Sequence, residues 1–557
     1  MNNFVNPSYL EAAKSPEKIK EWRYILDTKG YLRLKNFIKK AAEYLYQEDV
    51  CSEDKIRHNG RRSYLWSLLL WLDKNNVSGP WKEMSLKSLE QISSFIKKNP
   101  AGMTVIFPGL HHRYNYSTNA IDCGILMDSF FDLKKIVPEE ISEKEELFNK
   151  VAEEYLSSKI GSLKGSHNRY LWAGTGLARW VAENREHEKS PDYIKSLQVA
   201  IDNWLGANDD FGFHPYTSDE VFKNGITTYY HSRCLAFVFY IKELVPEIKT
   251  DKDILLKAGQ FLARMYKPTG VKELRLDTKR YYFSKDYEVG SHPFDIYAFW
   301  KLHSLTNDDF WLDIASVSWQ RLSEGQSITG AVNSCKGDYN HDWQCPLMRT
   351  SHVAWLTKIS NDFLDKVDHR NTKLLIAPDW FFDQNNINNR LLIIGSKNNW
   401  RHFVVKKSRL NGFNGQDHIG LIGLPVYKKP ANPLKSGISV KLLKTNLIFT
   451  FVHCGDILFN KKNFLKSLNF FYKYFLKFTF QLFFIKSSNF LLEIENIQLL
   501  DNHLKHDLLV SDVFGKRKRK VGERFIKWDR NDETNFLFKD SINKKVEQAD
   551  RKKKEEK

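Results

Sequence analysis

The chain has 557 residues, 42% of them hydrophobic and 14% aromatic, with a formal net charge of +18. That length points to two or three domains, and the composition excludes both a wholly disordered chain and a collagen-like repeat. Six cysteines stand far apart with no CxxC among them, which argues against a disulfide scaffold and a four-cysteine zinc site.

The amino-terminal stretch MNNFVNPSYLEAAKSPEKIKEWRYIL has neither an apolar core nor a small-residue cleavage site, so no secretory signal is visible. No stretch approaches about 18 uncharged apolar residues. The greasiest, Asn463 to Ile494, is broken by Lys466, Lys473, Lys477 and Lys486. The expectation is a cytoplasmic protein without a membrane span. The charge is unevenly placed: residues 371–557 carry 35 Lys and Arg against 18 Asp and Glu, leaving 50 against 49 in residues 1–370. Much of the basicity lies in Gly515–Lys520 and the terminal RKKKEEK. Such runs read as a solvated tail rather than a nucleic-acid site.

Six segments of residues 1–370 share one design, a polar, aromatic or histidine-bearing start followed by a compact apolar helix. They are HNGRRSYLWSLLLWLDKNN (58–76), YNYSTNAIDCGILMDSFFDL (114–133), SHNRYLWAGTGLARWVAEN (166–184), ITTYYHSRCLAFVFYIKEL (226–244), GSHPFDIYAFWKLHSL (290–305) and DWQCPLMRTSHVAWLTKIS (342–360). Between them run charge-rich stretches such as EKEELFNKVAEEYLSSKI and TDKDILLKAGQFLARMYK, whose apolar residues recur at three and four. A helix apolar nearly all round is buried, and one with a charged face lies outside. Alternating the two kinds six times predicts a mainly α architecture, an (α/α)6 toroid of six helical hairpins over residues 1–370. Beyond it, short β-branched and aromatic runs such as RLLIIGS and RHFVVKKS predict an antiparallel β-rich, sandwich-like domain over 371–510. A basic, disordered tail is expected over 511–557.

If the six starts line one mouth, their polar residues converge. The first half contributes Arg61 and Arg62, then Tyr116, Asn119 and Asp122, then His167, Asn168, Tyr170 and Trp172. The second contributes Tyr229, Tyr230, His231 and Arg233, then His292 and Asp295, then Asp342, Trp343, Arg349 and His352. Rings that stack on sugar faces, amides that bond hydroxyls and arginines that grip carboxylates suit an acidic polysaccharide or oligosaccharide. Substrate contacts are expected from His167, Tyr170, Trp172, Tyr116, Asn119, His231, His292 and Trp343.

The stretch WLGANDDFGFHPYTSDEVFKNGITTYYHSRCLAFVFYIKELVPE, from Trp204 to Glu247, resembles the toroidal polysaccharide lyases of the chondroitin/hyaluronate-lyase and heparinase II/III type. In those a DG-S-[FY]-x-x-H loop precedes a Gly- and Tyr-containing helix start. Here the loop reads DDFGFH and the spacing is longer. The chain is equally similar to uncharacterised bacterial toroid proteins with a DGF…DYY loop. The lyase resemblance implies that His214 is the loop histidine, Tyr229 or Tyr230 the catalytic tyrosine, Arg233 the helix arginine and Asn168 the amide. It also implies β-elimination at a uronic acid. Neutralising the carboxylate by Asn or Arg stabilises the enolate-like charge, and a Tyr or His takes the C5 proton. A tyrosine base needs its phenol pKa lowered, as a neighbour such as Arg233 would do.

That chemistry needs no metal or other cofactor, and no HExxH or similar cluster occurs. GxSxG, P-loop, GxGxxG and DDxxD motifs are likewise missing from the sequence. Two rivals stand beside the lyase. An inverting glycoside hydrolase on the same toroid needs two carboxyl groups about 6.5–9.5 Å apart, with Asp122, Asp295 and Asp342 as candidates. A non-catalytic glycan-binding or surface-polysaccharide assembly protein needs neither.

Overall fold

The computed structural model of the chain describes residues 31–47, 59–99, 102–106, 116–157, 167–208, 212–214, 226–266, 272, 275–276, 290–332, 346–370, 390–395, 400–405, 491–500, 503–511, 518–528 and 536–542. The chain divides into two compact units, Met1–Ile376 and Ala377–Lys557.

The first unit is helical. In chain order its helices are α1 (Tyr31–Leu45), α2 (Tyr64–Lys74), α3 (Trp81–Ser94), α4 (Tyr116–Ile136) and α5 (Pro138–Lys150), the last extended by a π-helical turn, Val151–Leu156. Then come α6 (His167–Glu183), α7 (Ser190–Leu205), α8 (Thr228–Leu244), α9 (Lys252–Arg264), α10 (His292–Thr306) and α11 (Asp309–Glu324). The last two are α12 (Pro346–Ser351), continued as a 3-10 helix over His352–Lys358, and α13 (Asn361–His369). Among the described residues a closed inner circle can be traced. Helix α2 packs on α4, α4 on α6, α6 on α8, α8 on α10, α10 on the 3-10 continuation of α12, and that continuation back on α2. The (α/α)6 toroid expected from the alternating segments is therefore present.

The inner and outer helices differ as their sequences require. Every residue of α2 from Tyr64 to Leu72 is buried. Outer helix α9 instead buries Leu255, Ala258, Gly259 and Leu262, an i, i+3, i+4, i+7 stripe, and exposes Lys252, Asp253 and Lys257. The Asp251 carboxylate starts α9 by accepting from the Asp253 and Ile254 amides at 2.8 and 3.1 Å. Asp308 does the same for α11 through Phe310 N–H at 2.9 Å. Such caps contribute about 1 kcal/mol each. Helix α1, outside the six sequence segments, packs on α2, α12 and α13. Its Arg33 meets Asp368 of α13 at 3.3 Å, and Trp319 of α11 donates to the same carboxylate at 2.5 Å.

Five of the six inner helices meet in an aromatic plug. Trp172 lies 5.2 Å from Phe237 and 5.8 Å from Phe294, and Trp355 lies 5.3 and 5.0 Å from the same two rings. The Tyr64 hydroxyl accepts both indole N–H groups, from Trp172 at 2.8 Å and Trp355 at 3.0 Å. Beside the plug, Lys358 Nζ lies 2.8 Å from Asp128, and the Tyr240 hydroxyl donates to Asp128 at 2.6 Å.

Short strand pairs trim the first unit: β1 (Ile96–Lys98) with β2 (Thr104–Ile106), and β3 (Ile226–Thr227) with β4 (Arg275–Leu276). In the second unit β5 (Arg390–Gly395) pairs antiparallel with β6 (Trp400–Val405). Strands β7 (Leu491–Leu500), β8 (His503–Ser511), β9 (Lys518–Trp528) and β10 (Phe536–Ile542) form an antiparallel meander in the order β10-β9-β8-β7. Strands β9 and β10 fall in the stretch expected above as a tail. Part of its basic charge is met there, since Lys520 reaches Asp507 and Glu523 at 2.7 Å each. Residues 406–490 of the expected β-rich domain lie outside the described residues.

Tyr64→Phe should leave two buried indole donors without an acceptor, a cost of about 1–3 kcal/mol each. The expected outcome is a urea unfolding midpoint clearly below that of the parent, with an unchanged slope. An unchanged midpoint would show that Tyr64 does not hold the plug.

Candidate functional site

The helix turn Asn59–Arg62, just before α2, lies directly on α4. A Cβ at Gly60 would sit 2.2 Å from the Asp122 carbonyl oxygen, so only glycine permits the approach. Arg62 turns back, its Nε donating to Asn59 at 3.2 Å. Arg61 turns inward, with its guanidinium 4.8 Å from the centre of the Trp172 ring. On α8, Arg233 lies 5.1 Å from the same ring and 5.3 Å from Phe294. Arg349 of α12 is fully buried and within electrostatic reach of Arg61. His352 follows one turn later, its ring 5.8 Å from Trp172 and 5.0 Å from Phe294. Asp122 and Tyr230 complete the group through their charge interactions with Arg61. All six inner segments therefore contribute to one buried cluster at the start of the inner helices.

The electrostatics follow from crowding like charges in a dry interior. Burial is the main cause that brings Arg61 down to about 10. Asp122 pulls it back up, Arg233 pushes it down, and Tyr64 and Tyr230 favour its charge. Burial, and then Arg61, hold Arg349 well below its ordinary value. Burial and then Arg233, Arg61 and Arg349 do the same to His352, which is neutral at pH 7. The thiols of Cys123 and Cys234 are pushed up by burial and are poor nucleophiles.

A second cluster lies between α8 and the outer helices. Gly212 has φ +87° and would meet the Lys257 carbonyl oxygen at 2.2 Å with any side chain, so this backbone requires glycine. The next residues, Phe213 and His214, are thereby tucked inside. His214 stacks on Trp204 of α7 at 3.6 Å, and its Nδ1–H donates to the Gly212 carbonyl at 3.2 Å. The His214 amide donates to His231 Nδ1 at 3.3 Å, so Nε2–H of His231 is the donor to the Ala258 carbonyl at 2.9 Å. Burial brings both His231 and His167 down to about 4, and burial, with help from His231, also holds His214 well below its ordinary value.

The sequence candidates thus divide. Tyr230 and Arg233 in the first turns of α8, Asp122 and Trp172 come together with Arg61. Trp172 is fully buried, with its ring taken by two guanidinium groups and its N–H by Tyr64. His214 and His231 stand against the outer layer. Asn168 and His167 are buried in the first turn of α6, and Tyr170 meets His167 edge-on at 5.3 Å. His292 opens α10 and meets Tyr266 edge-on at 5.5 Å. For Tyr229, Tyr116 and Asn119 only the backbone, in the first turns of α8 and α4, belongs to the described residues. Asp342 and Trp343 lie outside them.

Asp295 is fully buried and already committed. Lys272 Nζ lies 2.5 Å from it, Ser232 and Tyr266 donate hydroxyls to it, and Lys272 also reaches Ser291 at 2.7 Å. The sequence reading missed Lys272, because the stretch after α9 has no periodicity to mark it. Arg61, Arg349 and His352 were visible only as polar residues at helix starts. Among the described residues no three His, Cys, Asp or Glu side chains are placed to hold a metal, and no helix is long and apolar enough to cross a membrane.

No protein-family model and no curated protein matches the chain. Solved structures do. A glycosyl hydrolase family 88 protein from Bacteroides vulgatus is 11% identical with a TM-score of 0.45, over 59% of this chain and 99% of its own. A polysaccharide lyase is 13% identical with a TM-score of 0.45, over 60% of this chain and 98% of its own. Cellobiose 2-epimerase from Bacillus thermoamylovorans is 9% identical with a TM-score of 0.42, over 54% of this chain and 87% of its own. At scores this low the likenesses bear on neither substrate nor chemistry.

His167, His214, His231 and His352 all have folded pKa values below the unfolded value of 6.5. Between about pH 4 and 6.5 the unfolded chain therefore binds protons that the folded chain does not, and stability falls as pH drops through that window. Each group contributes about 1.4 kcal/mol per pH unit. Denaturant midpoints should fall from pH 6.5 to 5.5, above the ordinary carboxylate range, and His167→Asn should lessen the slope by about one proton. A midpoint flat across that range would contradict the buried, neutral histidines.

Proposed function

We propose that the chain is a carbohydrate-active enzyme that cleaves an acidic, uronate-containing polysaccharide by β-elimination at the centre of its inner ring. The observation that carries this reading is the meeting of Arg61 and Arg233 on Trp172 with Tyr230 in the field of Arg61. Guanidinium groups in a low-dielectric interior favour an anionic ligand far more than they would in water. A uronate carboxylate bound there is neutralised, which acidifies its C5–H bond.

In this reading Arg61 and Arg233 hold the carboxylate, and Asn168 shares its developing charge. The Tyr230 oxygen, in its phenolate form, takes the C5 proton. The C5–H electron pair becomes the C4–C5 double bond, the bond from C4 to the leaving oxygen breaks, and Tyr230 returns the proton to that oxygen. The step is balanced without water or a redox partner. His214 and Tyr229 are the other candidates for moving a proton.

Elimination is favoured over hydrolysis because Asp295 is engaged by Lys272, Ser232 and Tyr266. Asp122, the other alternative acid among the described residues, has Arg61 as an electrostatic partner. The protein should generate the ultraviolet absorbance of an unsaturated uronate from at least one member of a uronate polysaccharide panel. Tyr230→Phe should lower turnover by about 10²–10⁴-fold. Release of reducing ends without that absorbance would overturn elimination in favour of hydrolysis.

A further inference from the structure

Two opposite deficits occur in the arginine cluster, on Arg61 and on His352, whose charge Arg61 opposes. Among the described residues, Nε and Nη1 of Arg61 have no hydrogen-bond acceptor, although the residue is only 2% exposed. These are donors without an oxygen. His352 is fully buried, and its Nδ1 lies 2.8 Å from the Gly290 carbonyl oxygen. A carbonyl can only accept, so Nδ1 carries the proton of the neutral ring. Nε2 is then a lone pair, and it too has no partner among the described residues. It is an acceptor without a donor. Both side chains approach Trp172, Arg61 with its guanidinium at 4.8 Å and His352 with its ring at 5.8 Å.

A ligand that completes both must bring acceptor oxygens and a hydroxyl donor close together. Sulfate and fully ionised phosphate bring acceptors alone. A plain carboxylate does the same. We propose that Arg61 and His352 form a hydroxy-carboxylate subsite, in which Arg61 binds the carboxylate and His352 Nε2 accepts a hydroxyl of the same sugar ring. This deepens the proposed function and rests on that reading for its place on the substrate, but it makes a claim about binding alone. Leaving a buried acceptor unmatched costs enough to weaken binding about tenfold to a hundredfold. His352 is thereby the specificity-determining residue that separates a uronate from other anions of similar charge.

The test is calorimetric titration of the full chain, with no turnover involved. The probes are glucuronate, tetrahydropyran-2-carboxylate, which keeps the ring and carboxylate but has no hydroxyl, and inorganic sulfate. Glucuronate should bind the parent protein at least about tenfold more tightly than either other probe. His352→Leu should erase that preference, and His352→Gln, whose amide oxygen is again an acceptor, should restore most of it. Folding of each variant is checked by its unfolding midpoint, and the glutamine variant keeps the test alive if the leucine variant fails to fold. No glucuronate binding, sulfate bound as tightly as glucuronate, or a preference unchanged in His352→Leu would each overturn the subsite. A polymer panel giving no unsaturated product, with the His352-dependent preference intact, would remove the lyase reading and leave the subsite standing.

Discussion

Like charge kept out of water is the constraint around which this ring is organised. Arg61, Arg233 and Arg349 share an interior where a lone guanidinium is costly, and each makes the next more costly. Asp122 offsets part of that cost. The faces of Trp172 and Phe294 offset more, because an aromatic quadrupole attracts a poorly hydrated guanidinium. No single hairpin could assemble this group. Arg61 comes from the first repeat, Asp122 from the second, Trp172 from the third, Arg233 from the fourth, Phe294 from the fifth and Arg349 from the sixth.

The rest of the inner ring reads as support for that arrangement. The Tyr64 hydroxyl fixes two indoles from the third and sixth inner segments, which sets the tilt of the Trp172 ring on which the guanidinium groups rest. The Lys272–Asp295 pair acts on the neighbouring turn of α8, since Asp295 holds Ser232, the residue directly before Arg233. Charge here is therefore used in two ways. Lys272 and Asp295 neutralise one another and lock the backbone, whereas Arg61, Arg233 and Arg349 gather charge of one sign around Trp172 and Phe294.

Repetition made the architecture readable in the sequence. Tyr64 to Leu72 are apolar almost without a break, and Leu255, Ala258, Gly259 and Leu262 recur at helical spacing, so inner and outer helices separate by pattern alone. The same pattern grouped Arg233 and Tyr230, because both open an inner helix, and both interact with Arg61 in the structure. What pattern cannot carry is contact between distant repeats. Helix α1 closes the ring through Arg33 and Asp368, which are 335 residues apart in the chain. Trp172 looked like a sugar-stacking ring because its type and position suit one, but its surroundings make it a seat for arginines. His352 carried no mark beyond its place at a helix start; its importance comes from the tautomer that Gly290 imposes.

Closure of the ring has a consequence for how the protein is made. The Trp355 to Tyr64 hydrogen bond spans 291 residues, and it joins the last inner helix to the first. A ribosome delivers α2 long before α12, so Tyr64 and Arg61 must wait with their partners unsynthesised while four intervening hairpins accumulate. Hairpins can form in sequence as local units, but the arginine cluster exists only after the final one docks. The nascent chain thus holds an open crescent whose two free ends, α2 and α10, expose the faces that the continuation of α12 will cover. That state is the one most prone to clumping, and its lifetime is set by translation rather than by the intrinsic speed of helix packing.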